Sequence, residues 1–139
     1  MQKIFLDTNI IIDFLGEREL FYEDSAKVMT LADKKEIVLF TSASSLINAN
    51  YVLTKFENAT VALEKIRKFK LLCEISVMDN EVVEKAINSN FKDFEDAMQY
   101  FSALASDCEM IITRNEKDFK NAMIPVMNAK SFLQTLKNK

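Results

Sequence analysis

Short apolar runs alternate with stretches of helical periodicity from one end of the chain to the other, and this alternation predicts an α/β sandwich. Two observations sharpen that expectation. The helical stretches between the runs are long enough to serve as crossovers, so the strands they join are parallel and the sheet is covered on both faces. No linker, low-complexity tract or internal repeat interrupts the 139 residues, which fits a single domain over 1–139 with a sizeable core. The composition, 49% hydrophobic and 28% charged, is that of an ordinary globular protein.

The elements follow in order. Lys3–Leu6 reads as a buried strand, followed by a short helix over Ile10–Leu15. Tyr22–Lys34 has helical periodicity, and Ile37–Thr41 is a second strand. Ala43–Phe56 and Ala59–Phe69 read as two helices separated near Asn58. Cys73–Met78 is a third strand, Glu81–Ser89 a helix and Phe94–Ser106 a longer one. Met110–Thr113 is a fourth strand, a weak fifth follows Pro125, and Ser131–Lys137 closes as a helix. The sheet therefore has four to five strands.

Composition removes many chemistries. The chain has no His, which excludes a Ser-His-Asp triad, a Cys-His pair and His-ligated zinc. Its one Gly excludes phosphate cradles built on several glycines. Carboxylates remain in quantity, 9 Asp and 12 Glu, so acids with a hard metal are the first catalytic candidates. Net charge is −3 overall, but residues 79–109 sum to −6 while 114–139 sum to +4 and 55–70 to +3. An acidic centre between basic arms suits a metal site with a polyanion laid beside it, but from charge alone ordinary solvated helix faces are the favoured reading. Cys73 and Cys108 lack CxxC spacing and sit in apolar surroundings, so both are expected as buried free thiols of a cytoplasmic protein. The longest apolar runs are too short to span a bilayer, and the chain opens directly on a strand.

Ligand sites of open parallel sheets lie beyond the carboxyl ends of the strands, and that rule sorts the acids. Asp7 ends the first strand, and Asp7-Thr8-Asn9 places three short polar side chains where a helix begins. An N-cap explains one of them but not an acid ending a central strand, so a metal-ligand role for Asp7 is favoured over a cap. Asp93 and Asp96 open the helix Phe94–Ser106. With Tyr100 and Asp107 they share one flank, about 110° from the apolar stripe, while Glu95 points away from them. The macrodipole alone would also favour acids at this end. After the fourth strand, Thr113, Asn115 and Asp118 return to the same edge. After the second strand, Ser42, Ser44, Ser45 and Asn48 supply hydroxyls and an amide, but Ile37 to Phe56 contains no acid; Ser42 is expected to cap its helix. Asp7, Asp96 and Asp118 can thus meet in one pocket, and like charges held together call for a divalent cation with oxygen ligands, Mg²⁺ or Mn²⁺. Such a site activates water and supports the leaving oxygen in phosphodiester cleavage.

Three segments carry a family likeness. Phe-Leu-Asp7-Thr8-Asn9-Ile-Ile-Ile-Asp13-Phe-Leu, Phe94-Glu95-Asp96-Ala97 and Ile-Ile-Thr113-Arg114-Asn115-Glu-Lys-Asp118-Phe119, in this order and spacing, resemble the PIN domain, especially the small bacterial VapC-like toxins. The resemblance covers essentially the whole chain. It implies a three-layer α/β/α fold and an Mg²⁺- or Mn²⁺-dependent endoribonuclease whose small antitoxin occludes the acidic groove. By this resemblance Asp7 matches the family's first acid, Asp96 the third and Asp118 the fourth, a role that Asn115 shares by position because many members carry an acid there, and Thr113 and Asn115 line the pocket. The second acid, a Glu on the helix after the second strand, is replaced by Asn48, which offers a carbonyl oxygen but no charge; Asp93 or Asp13 is expected to compensate by position.

A second expectation, resting on Asn48, is a PIN-like module that binds RNA or a protein partner without cutting. A phosphotransfer enzyme of haloacid-dehalogenase type fits poorly, because Asn9 stands where a second Asp is needed. A homodimer is expected from apolar helices on two faces. Tyr51, Phe56 and the run Lys65-Arg67-Lys68-Lys70 are candidates to grip RNA or an antitoxin helix, although core packing is favoured for Phe56 and a solvated face for the basic run.

Overall fold

Five short apolar runs pair in parallel: β1 (Gln2–Leu6), β2 (Ile37–Thr41), β3 (Cys73–Ile75), β4 (Met110–Ile112) and β5 (Val126–Met127) lie in the order β3-β2-β1-β4-β5. Among the described residues there are also seven helices: α1 (Thr8–Leu15), α2 (Tyr22–Asp33), α3 (Ala43–Phe56), α4 (Ala59–Lys70), α5 (Asn80–Ile87), α6 (Phe94–Ala105) and α7 (Ala129–Lys137). A 3₁₀ turn covers Glu116–Phe119, an element that the polar sequence Arg-Asn-Glu-Lys-Asp did not reveal. The structure is a computed structural model that describes residues 1–137; the last two residues of the expected span, 138 and 139, lie outside the described residues.

The period of two in β1 splits the core. Ile4 and Leu6 point into one apolar cluster with Ile10, Ile11, Val28, Leu39, Leu53, Phe69 and Phe132, while Phe5 points into a second with Tyr100, Ala103, Ile111 and Phe119. Helices therefore cover both faces, the three-layer α/β/α arrangement expected. Phe5, Phe69, Phe119 and Phe132 are fully buried, each contributing roughly 1.5–3 kcal/mol by burial. Cys73 and Cys108 are buried and free, as the sequence led us to expect, and desolvation pushes both thiols up to about 12.

Helix starts follow local chemistry. Ser42, Asn58, Asp79 and Asp93 each accept a backbone N–H from the third residue on, capping α3, α4, α5 and α6. The third strand ends three residues earlier than expected, at Ile75. Beyond it the Ser76 N–H donates to the Thr41 carbonyl, the Val77 N–H to Ser106 Oγ, and the Val77 carbonyl accepts from Ser102. Side chains of α6 thus take over the groups a longer edge strand would use. The core position expected for Phe56 is not found: it closes α3 with its ring 76% exposed.

Strand order locates the ligand crevice. From β1 the chain moves outward through β2 to β3, then returns to place β4 on the other side of β1. That reversal opens a crevice between the carboxyl ends of β1 and β4, where Asp7 and Thr113 emerge.

Candidate functional site

Asp7 leaves β1 with its N–H bonded to the Ile112 carbonyl and its side chain almost wholly buried. Oδ1 accepts the Thr8 N–H at 2.8 Å, so the residue does cap α1, and Oδ2 accepts the Thr113 hydroxyl at 2.8 Å. Thr113 spends its full capacity here: it donates to Asp7 and accepts from the Asn9 amide at 3.3 Å and the Asn115 N–H at 3.0 Å. Burial raises the Asp7 carboxyl above its ordinary value, and the charge of Asp118 adds to the rise. Hydrogen bonds from Thr113, the Thr8 N–H and Gln99 oppose it.

Asp96 lies in the first turn of α6, where capping by Asp93 holds its N–H at 3.0 Å. Burial lifts its carboxyl to about 7, and the charges of Asp93, Asp118, Asp7 and Glu95 add to the effect. Asp118 sits exposed on the 3₁₀ turn, facing Asp96 across a groove of about 400 Å³ that Asp93, Lys92, Lys117, Lys120, Asn121 and Phe91 also line. The three acids selected by the carboxyl-edge rule therefore sense one another's charge.

They do not form a ready-made cage. Among the described residues, no three Asp, Glu or Cys side chains stand close enough together to hold one ion. Asp7 is held by its hydrogen bonds to Thr8 and Thr113, while Asp96 and Asp118 line the groove. This donor set still fits Mg²⁺ or Mn²⁺, because small hard cations keep several waters and use one or two carboxylates together with substrate oxygens. Asp96 gives the more specific sign of fit. Burial, and then four neighbouring negative charges, raise its carboxyl, and among the described residues it forms no ion pair.

The other expected pocket residues divide. Thr8 turns its hydroxyl to Ser45 Oγ at 2.8 Å, joining α1 to α3. Asn9 bridges Thr113 and the Arg114 N–H, which it accepts at 3.2 Å. Asn115 reaches the site with its backbone, its side chain being exposed. Asn48 donates to Glu95 Oε1 at 3.0 Å, and Glu95 does not line the groove that Asp93, Asp96 and Asp118 share. Asp13 cannot compensate for the missing acid. It is fully buried and grips Arg114 with bonds of 2.6 and 3.1 Å, with Arg18 at 3.7 Å. Asp93 does line the groove, as a cap.

The sequence reading missed Gln99. It is buried on α6, accepting from Ser42 and donating to Ser45 as it supports Asp7. Its signal was an uncharged polar residue on the inner face of α6, where Ser102 and Tyr100 are buried as well. The basic run of α4 is also spent elsewhere: Lys65 pairs with Glu57 at 2.5 Å, Arg67 with Glu64, and Lys70 donates to the Cys73 carbonyl at 3.2 Å.

Comparison with known proteins agrees with this architecture. A family model described as PIN domain matches residues 3–117. Ribonuclease VapC1 of Aquifex aeolicus (strain VF5) is 31% identical over 138 residues, spanning 96% of this chain and 94% of its own length. The crystal structure of VapBC2 from Rickettsia felis, bound to a DNA fragment from its promoter, superimposes with a TM-score of 0.66 at 18% identity, covering 91% of this chain and 98% of that one. VapC20 of Mycobacterium tuberculosis, described as a sarcin-ricin loop cleaving toxin, gives 0.61 at 15% identity over 78% of this chain and 86% of its own. The crevice at the β1–β4 reversal, its acids and these likenesses converge: the chain belongs to the PIN domain family.

Proposed function

We propose that the protein is a metal-dependent endoribonuclease of VapC type, held in check by a small antitoxin that covers the acidic groove. What supports this reading is that Asp7, Asp96 and Asp118 feel one another's charge at the carboxyl edge of the sheet, in a chain 31% identical to a named ribonuclease.

Asp7, Asp96 and Asp118 would hold Mg²⁺ or Mn²⁺. When bound, such an ion lowers the pKa of water and supports the leaving oxygen of the phosphodiester. The chain supplies the rest. Thr113 and the Thr8 N–H orient the two oxygens of Asp7 toward the crevice. Asp96, whose carboxyl burial lifts to about 7, would be a ligand to such a cation in its ionised form. Lys92, Lys117 and Lys120, on the walls of the same groove, attract the RNA phosphates and leave its acids free for the cation. The exposed Ile47, Tyr51 and Phe56 of α3 favour a homodimer.

Cleavage of RNA that stops in excess chelator and returns with added Mn²⁺ supports this function; full cleavage in chelator contradicts it. The uncharged Asn48 favours a second reading, a module that binds RNA or a protein without cutting. Metal-independent RNA binding with no cleavage at any Mn²⁺ concentration selects that reading instead.

A further inference from the structure

A second cavity, of about 430 Å³, is lined by Arg114, while Lys117 and Asp118 of the same loop line the acidic groove. Its volume is that of a site for a small organic group. Leu20 and Phe21, just before α2, give it apolar walls that are open to solvent, the Phe21 ring being 38% exposed. The Arg114 guanidinium is held over that ring by its two bonds to the fully buried Asp13. Those bonds use Nε and Nη2, and Nη1 makes no hydrogen bond among the described residues. Asp24, in the first turn of α2, and Lys130, in the first turn of α7, complete the lining. They border one space without meeting, for among the described residues neither forms an ion pair.

This lining suits a flat body with polar edges. A bare phosphate would gain little here, because Asp13 and Asp24 balance Arg114 and Lys130. An uncharged nucleobase gains on every side, its face on the aromatic and apolar wall and its edges on free donors and a free carboxylate. Among the four bases, guanine alone offers two adjacent N–H donors to a carboxylate and two adjacent acceptors, O6 and N7, to cations. We infer that the cavity is a base-recognition subsite for one unpaired guanine of an RNA strand. Phe21 and Leu20 take its face, Asp24 accepts from its N–H groups, and Arg114 Nη1 and Lys130 donate to O6 and N7. This inference rests on RNA as the ligand of the acidic groove. A strand crossing that groove can reach the cavity, since Arg114 and Asp118 stand four residues apart, at most about 14 Å. Asn128, on the cavity wall, also bonds Glu116 of the intervening turn at 3.3 Å.

Fluorescence anisotropy of short RNAs bound to the Asp7→Asn protein tests the assignment without cleavage in the background. Four oligouridine strands are compared, carrying G, A, C or U at one internal position. The G strand is expected to bind at least about 10-fold more tightly than the U strand. Adding Asp24→Asn removes that preference, and adding Phe21→Ala weakens binding of the G strand about 10-fold. Glu23→Gln, which alters the exposed acid beside Asp24 but not the cavity lining, leaves the preference intact. The ratio between strands is read within one protein, so partial unfolding of a variant does not change it. Equal binding of the four strands, preference for another base, or a G preference that survives Asp24→Asn each overturns the guanine subsite alone. No binding of any strand overturns the RNA reading on which it rests.

Discussion

Arg114 grips Asp13 with two hydrogen bonds, 2.6 and 3.1 Å long, tying the loop after β4 to the middle of α1. The guanidinium also lies over the Phe21 ring at 4.1 Å, while the Arg114 N–H donates to Asn9. The pair thus braces the segment that presents Thr113 to Asp7. Removing one member leaves a buried charge without its main partner. Asp13→Ala is predicted to cost about 3–5 kcal/mol, toward the lower figure because Arg114 keeps some contact with water. Replacing both, as Asp13→Leu with Arg114→Met, should return most of the loss. Urea unfolding of the three variants measures this directly.

Asp96 makes the stability of the cation-free protein depend on pH. Its carboxyl is raised from 3.8 to about 7 in the folded chain. A raised acid contributes its stability in full below the unfolded value and loses it as pH rises through the folded value. In chelator, the urea midpoint should therefore fall between about pH 4 and about pH 7. Asp96→Asn is predicted to flatten that fall, and excess Mg²⁺ to raise the midpoint most at the alkaline end. The buried Asp7 works in the same direction.

Lys117 and Lys120 are predicted to bind RNA rather than to build the fold. Both are exposed on the wall of the groove that contains Asp96 and Asp118. Lys117→Ala/Lys120→Ala should weaken RNA binding and reduce the magnitude of its salt slope by about 1.4, two phosphate contacts on a single strand. The melting temperature should hardly change. The parallel variant Lys65→Ala/Lys68→Ala should leave the slope intact, because Lys65 is committed to Glu57 and the Leu15 carbonyl.

Much of this site was legible in the sequence because two rules act locally: strands end where polar residues begin, and helices start where side chains cap them. Those rules brought Asp7, Asp96 and Thr113 to one edge before any coordinates. Contacts made at long range were not legible. Asn48 read as a vacancy because its partner lies 47 residues away, and the helical wheel that separated Glu95 from Asp96 could not show what stands opposite each. Asp13 read as a spare acid because Arg114, its partner, is 101 residues distant. Gln99 had no motif at all; only the fold turns its amide to two serines. The 3₁₀ turn under Asp118 escaped for a different reason, since four residues are too few for any period to register.

A metal-dependent ribonuclease built on this site would rely on the Asp7 carboxylate to hold its cation. The most direct test is cleavage of a mixed RNA pool with Mn²⁺ by the wild-type protein and by Asp7→Asn, each first shown to be folded. Asn at this position keeps the shape and can still accept the Thr8 N–H, but it removes the charge. The prediction is Mn²⁺-dependent cleavage by the wild type and none by Asp7→Asn. Equal cleavage by the two proteins would contradict it.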